Sequence, residues 1–532
     1  MSSLQTLEAL LAEQLIRQPD AVALIEEDRR ITYQEFDRLC DGTASWLAAQ
    51  GIGRGDRVAV WLVNRLEWLA LLFASGRLGA TLVAVNTRYR AHELQYILEK
   101  SQARLLVLEL NFRKIDFPGI LADVSRDAVR ALERVAVLNP GPQALPDTIL
   151  GRPTVAFSLD DLPSGETGSG GSADALSILF TTSGTTSGPK LVMHTQGTIT
   201  THSRRVAQAY QFLEDGVCLL AALPLCGVFG FNAVLGAFAA GKPVVLMDVF
   251  DGEKAAHLIG LHRVTHVFGS DEVFRRISDH GVGDHPFPSL RVCGFAAFQP
   301  GIETFGRIAW QRGIPLYGLY GSSEVQALFS LNRPDGDFQD RLKGGGLPAS
   351  PTAQVRIRDV DTGRIQPAGR SGMIEIRSDT NFIGYLDNPE ATAKAITPDG
   401  YFMTGDVGYL RDDGGFVYQT RQGDAMRLAG YLVDPVEIEN ALKDIPGIDN
   451  AQVVELLQGG RAACAAFVIL APGAGLDEAK VKAALGSTLA AFKIPVRVWP
   501  IAEYPSTQSA NGVKIQRAKL RDMAMQKMKD VS

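Results

Sequence analysis

At 532 residues the chain exceeds what one ordinary hydrophobic core organises, so two or more domains are expected. Apolar residues at 46% and charged residues at 21% are those of a globular protein, and exclude a disordered or membrane-embedded chain. A net charge of −6 argues against a general nucleic-acid binder, because phosphate backbones demand a basic face. The five cysteines, Cys40, Cys218, Cys226, Cys293 and Cys464, are odd in number, and no two are spaced as a metal knuckle or redox pair. They read as reduced, buried thiols.

Taken in chain order, the first eighteen residues lack a basic start and place Glu8 and Glu13 among leucines. That pattern is an amphipathic helix rather than a signal peptide. Arg57–Val63 reads as a buried strand, Leu66–Ser75 as the helix after it, and Thr81–Val85 as the next strand. The richest apolar stretch, Leu69–Val85, is broken by Arg77, and no run reaches membrane-spanning length; a cytoplasmic location is expected. Alternation of this kind over residues 20–250 argues for parallel sheets flanked by helices. Leu162–Ala173 is rich in Gly and Ser and reads as a flexible loop leading into a strand at Ala175–Phe180. Turn-rich strands fill Gly372–Tyr418.

A domain boundary falls near residue 423. Beyond it, Asp434-Pro-Val-Glu437 has the cap, first-turn Pro and third-position acid of a helix start. Strands at Ala451–Glu455 and Ala465–Leu470, a helix at Leu476–Leu489 and a strand at Val496–Pro500 follow. The expected architecture is α/β. A large N-terminal domain, residues 1–422, combines parallel-rich sheets flanked by helices with a β-rich subdomain; a small α+β domain occupies residues 424–532.

The most informative segment is Phe180-Thr-Thr-Ser-Gly-Thr-Thr-Ser-Gly-Pro-Lys190. A buried strand gives way to a run of Gly, Ser and Thr. Backbone N–H groups there can approach an anion closely, hydroxyls add donors, and Lys190 adds positive charge: the composition of a polyphosphate cradle. It is not a P-loop. Gly184 and Gly188 have three residues between them where four are needed, Pro189 precedes Lys190, and Leu191 follows it.

This loop resembles the phosphate-binding signature TSGTTG-x-PKG of the adenylate-forming superfamily, which comprises acyl-CoA synthetases, aryl-CoA ligases, luciferases and peptide-synthetase adenylation domains. Ser187 and Leu191 stand where that signature has Gly. Further motifs follow in the family's order. Tyr320-Gly-Ser-Ser-Glu324 resembles YG-x-TE with Ser323 for the usual Thr, Thr404-Gly-Asp406 resembles TGD, and Arg421-Gln-Gly-Asp-Ala-Met-Arg-Leu-Ala-Gly430 resembles the GR-x-x-D-x-(I/M)-(K/R)-x-x-G segment, with Thr420 where the first Gly is usual. Asn511-Gly-Val-Lys514-Ile resembles the C-terminal G-K-(I/V), with Val513 inserted. Earlier segments, Ile31-Thr-Tyr33, Gly51–Arg57 and Leu78-Gly-Ala80 through Asn86, agree as well, so the likeness spans nearly the whole chain.

The resemblance implies ATP, Mg²⁺ and coenzyme A. It assigns Thr181, Thr182, Ser183, Gly184, Thr185, Thr186 and Lys190 to the phosphates. Ala296, Ala297, Tyr320, Gly321, Ser322 and Ser323 fall to the nucleotide, and Asp406 and Arg421 to the ribose. Glu324 would hold magnesium, Lys514 would bridge carboxylate and α-phosphate, and Gly423 would be the hinge of a mobile small domain. Gly430 and Tyr431 would face coenzyme A. Catalysis would rest on Lys514, Glu324 and Thr182, since two anions must meet in line and no protein nucleophile is needed.

The acyl pocket is expected at Cys226, Gly227, Val228 and Phe229, with Phe295 as a further wall. Gly227 removes the bulky side chain that the family commonly has there, and no charged residue recognises an amino group. The expected substrate is a medium- or long-chain fatty acid, or a hydrophobic cyclic or aromatic acid. Two alternatives stand beside acyl-CoA synthesis: loading of a carrier-protein phosphopantetheine, and a catalytically silent homologue that only binds a ligand. The expected partners are small molecules rather than nucleic acid, and a homodimer is left open.

Overall fold

The computed structural model describes residues 5–112, 115–139, 145–165, 170–182, 189–296, 302–333, 336–359, 362–421, 426–429, 431–433, 435–458, 461–509 and 512–529. The chain forms two compact units. The larger comprises Met1–Thr87, Ile97–Thr181 and Leu191–Thr420; the smaller comprises Arg88–Tyr96, Thr182–Lys190 and Arg421–Ser532.

Two large sheets build the first unit. Among the described residues, one has nine strands, and its middle runs Leu176–Thr181, Thr81–Ala84, Arg57–Trp61, Leu105–Leu108, Arg134–Leu138 and Arg152–Phe157, each parallel to its neighbour. The central strands are Val-, Ile- and Leu-rich and almost wholly buried, as parallel strands covered on both faces must be, whereas Arg152–Phe157 toward the edge buries only Phe157. The other sheet has thirteen strands among the described residues, with parallel pairings through Val22–Glu26, Val244–Leu246, Leu219–Ala221, His266–Ser270, Val292–Ala296 and Leu316–Ser322. It then turns antiparallel at Gln326–Leu331 and continues into the turn-rich strands 344–421.

One core takes side chains from both sheets and from several helices, among them Tyr33–Ala49, Leu66–Leu78 and Val228–Ala239. Helix Leu66–Leu78 runs three residues beyond the sequence expectation, to Gly79 in the left-handed conformation. Phe36, Phe73 and Phe238 meet edge-on or tilted, and Trp68 and Phe180 both meet Phe231.

One sequence expectation fails here. The described end of the Gly/Ser-rich segment is not a free linker. Gly170 donates to the carbonyl of Arg77 at 2.6 Å, and a Cβ on Gly171 would lie 2.5 Å from the carbonyl oxygen of Gly76. The small residues there let two backbones touch, which composition alone does not distinguish from flexibility.

The second unit is α+β. Strands Ile448–Gln458, Arg461–Leu470 and Arg497–Pro500 form its sheet. Helices Pro435–Lys443 and Glu478–Thr488 pack in one core with it, and Arg517–Lys529 in another. The first two strands are longer than their sequence pattern suggested, and Arg517 reaches Glu439 at 2.8 Å. All five cysteines are buried and none is in a disulfide. Among the described residues no helix is long and apolar enough to cross a membrane.

Candidate active site

The larger unit concentrates the expected site residues at the ends of its strands. Leu316–Ser322 turns tightly into Gln326–Leu331, with Ser322 opposite Gln326. Gly321 is obligatory in that turn, because a Cβ there would lie 2.5 Å from the Cα of Ala327. Tyr320 is buried against Phe416 and Tyr418, and its hydroxyl donates to Oδ2 of Asp406 at 2.6 Å. Asp406 lies on strand Phe402–Leu410, and its N–H donates to the hydroxyl of Thr404. The Tyr320 and Asp406 motifs, 86 positions apart, thus meet in space.

Glu324 is held at every backbone atom that can hold it. Its N–H donates to Oγ of Ser322 at 3.2 Å, its carbonyl accepts from the N–H of Phe382 at 2.7 Å, and the carbonyl of Ser323 accepts from Nε2 of His194 at 2.7 Å. The hydroxyl of Tyr385 donates to Oε1 of the Glu324 carboxylate at 2.9 Å. A hard oxygen ligand on a fixed backbone fits Mg²⁺, which takes one or two carboxylates and shares the rest of its shell with phosphate oxygens and water.

Sequence reasoning missed the groups that set this geometry. Gln326 has φ +66°, a backbone that a side-chain-bearing residue adopts at a cost of about 1–3 kcal/mol. Its buried amide holds it there: Nε2 donates to the carbonyls of Thr198 and Thr380, and Oε1 accepts from Asn232. Asn232 in turn accepts from the N–H of Ala327. His202 donates from Nε2 to the carbonyl of Ala327 at 2.7 Å, so two histidines bracket the Glu324 turn. No local pattern marks these residues.

Burial pushes the imidazoles of His194, His202 and His266 down from 6.5 to about 4. All three are therefore neutral at pH 7 and donate from Nε2 to a carbonyl. The unfolded chain takes up these protons near pH 6.5 and the folded chain only near 4, so stability present above 6.5 is lost as pH falls through that window. Each histidine contributes up to about 1.4 kcal/mol per pH unit there. His202→Gln, which keeps a donor, is expected to flatten the acid limb by about that slope in urea unfolding between pH 7 and 4.5. An unchanged slope refutes the assignment.

At the other strand ends, Thr181 closes Leu176–Thr181 opposite Leu191, and the N–H of Thr182 donates to the carbonyl of Lys190 at 3.0 Å, forming the neck of the loop. Ser183, Gly184, Thr185 and Thr186, with Ala297, Gly423 and Gly430, lie outside the described residues. Arg421 ends strand Phe416–Arg421, Tyr431 begins Tyr431–Val433, and Lys514 lies in Gly512–Ile515 opposite Thr507.

The acyl-pocket expectation divides. Gly227 caps helix Val228–Ala239, and a Cβ built on it meets only the carbonyl oxygen of Pro224, at 3.5 Å. Val228, Phe229 and Ala296 are half-buried on the core that contains Cys226 and Phe268. Phe295 packs in the other core, with Cys293 and Val267. Strand side chains alternate, so Ala296 and the bare Gly294, rather than Phe295, share the face of Phe268.

The family model described as AMP-binding enzyme matches residues 11–386, and that of the AMP-binding enzyme C-terminal domain matches residues 437–511. The chain belongs to the AMP-binding enzyme family. It is an adenylate-forming, AMP-forming acid–thiol ligase. Similar proteins include two 3-[(3aS,4S,7aS)-7a-methyl-1,5-dioxo-octahydro-1H-inden-4-yl]propanoyl:CoA ligases. That of Mycobacterium tuberculosis is 30% identical over 98% of this chain and 100% of its own. That of Rhodococcus jostii is 32% identical over 93% and 95%. The 3-hydroxybenzoate–CoA ligase of an Aromatoleum species is 28% identical over 96% and 95%. Among solved structures, a double mutant of o-succinylbenzoate CoA synthetase (MenE) from Bacillus subtilis matches with TM-score 0.81 at 22% identity, over 96% and 98% of the two chains. ATP-bound MatB from Rhodopseudomonas palustris matches with TM-score 0.65 at 25% identity, over 98% and 99%. This AMP-binding enzyme therefore has the fold of the adenylate-forming ligases, a large N-terminal domain with a small C-terminal one.

Proposed function

We propose that the enzyme joins a hydrophobic cyclic or aromatic carboxylic acid to coenzyme A, through acyl-AMP and with release of pyrophosphate and then AMP. The observation that carries the reading is the fixed pair of carboxylates: Glu324, pinned at backbone and side chain, and Asp406, bound to Tyr320. In this reading Asp406 holds the ribose, Tyr320 lies beside the adenine, and the Thr181–Lys190 loop takes the phosphates. Bound Mg²⁺ would neutralise phosphate charge, with Glu324 as its protein ligand. Lys514 brings a positive charge to the meeting of carboxylate and α-phosphate.

The choice of acid is supported by the half-covered apolar faces of Val228, Phe229 and Ala296 beside Phe268, which an apolar ring would cover. The relatives named for indane-type and hydroxybenzoate acids point the same way. The test is pyrophosphate release and acyl-CoA formation over a panel of acetate, straight-chain fatty acids, benzoates and fused-ring propanoates. Preference for acetate rejects the reading. Product that forms only on a carrier protein, with free coenzyme A inert, favours carrier loading instead.

Gly227→Trp is expected to fill the space beside Phe229. Each buried CH₂ contributes about 0.8 kcal/mol, so kcat/KM for the bulkiest accepted acids should fall about tenfold or more while small acids gain relatively. An unchanged substrate profile places Gly227 outside the pocket.

A further inference from the structure

We propose that Tyr385 is a positioning residue for metal binding: its hydroxyl sets the orientation of the Glu324 carboxylate, so that the remaining lone pairs meet a divalent cation on the nucleotide. The inference deepens the reading above and rests on it. The backbone around Glu324 is already fixed by Ser322, His194 and Phe382. That leaves the rotations of the glutamate side chain, which would otherwise be lost when the metal binds. The 2.9 Å bond from Tyr385 to Oε1 removes them in advance.

Tyr385 is suited to that task because it is itself immobile. Its ring is buried, 5% exposed, with Phe382 at 4.9 Å between centroids. Its strand, Gly384–Tyr385, pairs antiparallel with Leu191–Thr195, Tyr385 standing opposite Val192. Its N–H donates to the hydroxyl of Thr392 at 2.9 Å. The same short segment also supplies the Phe382 N–H to the carbonyl of Glu324, so one segment grips the residue at both ends. A carboxylate offers about four lone-pair sites, so one occupied by a hydroxyl leaves others for a cation.

The opposite effect is physically possible and makes the idea testable. A hydroxyl that merely occupied the carboxylate would compete with the metal, and its removal would tighten binding. Tyr385→Phe removes the one hydroxyl and keeps the buried ring. The readout is binding of Mn²⁺ together with a non-hydrolysable ATP analogue, followed by electron paramagnetic resonance of free Mn²⁺. We expect the wild-type protein to bind the pair, Glu324→Gln to lose most of the metal affinity, and Tyr385→Phe to bind about tenfold more weakly, the scale of a hydrogen bond to a charged group. Tyr385→Phe should stay folded, its melting temperature lowered by at most about a few degrees for the one lost hydrogen bond, and adenylation should recover at high Mg²⁺. Thioester formation from supplied acyl-AMP should be unaffected. If Glu324→Gln binds Mn²⁺ as well as wild type, the nucleotide-site reading fails. If Glu324→Gln loses it and Tyr385→Phe binds equally or more tightly, the positioning role alone is overturned.

Discussion

Lys514→Ala is expected to abolish formation of acyl-AMP while sparing the second half-reaction. A carboxylate attacking an α-phosphate brings two anions together, and a single preorganised charge at such a centre is worth about 10²–10³-fold in rate. After adenylation the carboxylate has become a mixed anhydride, and the incoming thiol no longer meets that repulsion. ATP–pyrophosphate exchange should therefore fall by at least this factor. The thioester formed from synthetic acyl-AMP and coenzyme A should appear at near wild-type rate. Equal loss in both assays would remove Lys514 from this role. The inserted Val513 makes the experiment informative, because it shifts the lysine by one position relative to the family motif.

Asp406→Ala should weaken ATP far more than the acid. A carboxylate that accepts from both ribose hydroxyls loses two charge-assisted hydrogen bonds, each contributing about 1.5–3 kcal/mol, so a rise in the dissociation constant of about a hundredfold or more is expected. The buried Tyr320 hydroxyl also loses its acceptor, which adds to the cost. Tyr320→Phe separates the two contributions: it keeps the carboxylate and should weaken ATP much less. Calorimetric titration of ATP into the three proteins measures this. If Asp406→Ala binds ATP like wild type, the ribose site is elsewhere.

Much of the chemistry was legible in the chain because its signals are local. A Gly/Ser/Thr run after a buried strand, a tyrosine–glycine turn before a glutamate, and an Asp-Pro-x-Glu helix start each need only a few adjacent residues to state their physics. The alternation of strands and helices likewise announced parallel sheets, since strands covered on both faces must be apolar throughout. Strand order was not legible. Nothing adjacent to Thr81–Ala84 says that Leu176–Thr181 pairs with it. The face of Phe295 was equally hidden: the strand was evident, but which parity points toward helix Val228–Ala239 depends on the layer packed against each side.

The tertiary structure alone decided what holds the Glu324 turn. His194, His202, Asn232, Thr380, Phe382 and Tyr385 come from as far as 129 positions away, and each would pass in the sequence for an ordinary core residue. They are buried polar groups that must find partners, and the carbonyls and carboxylate of this one turn are the partners that folding brings within reach. The identity of a ligand-binding residue is written locally. Its orientation is set by hydrogen bonds that exist only after distant strands have paired, because a fixed donor–acceptor distance requires both backbones to be in place.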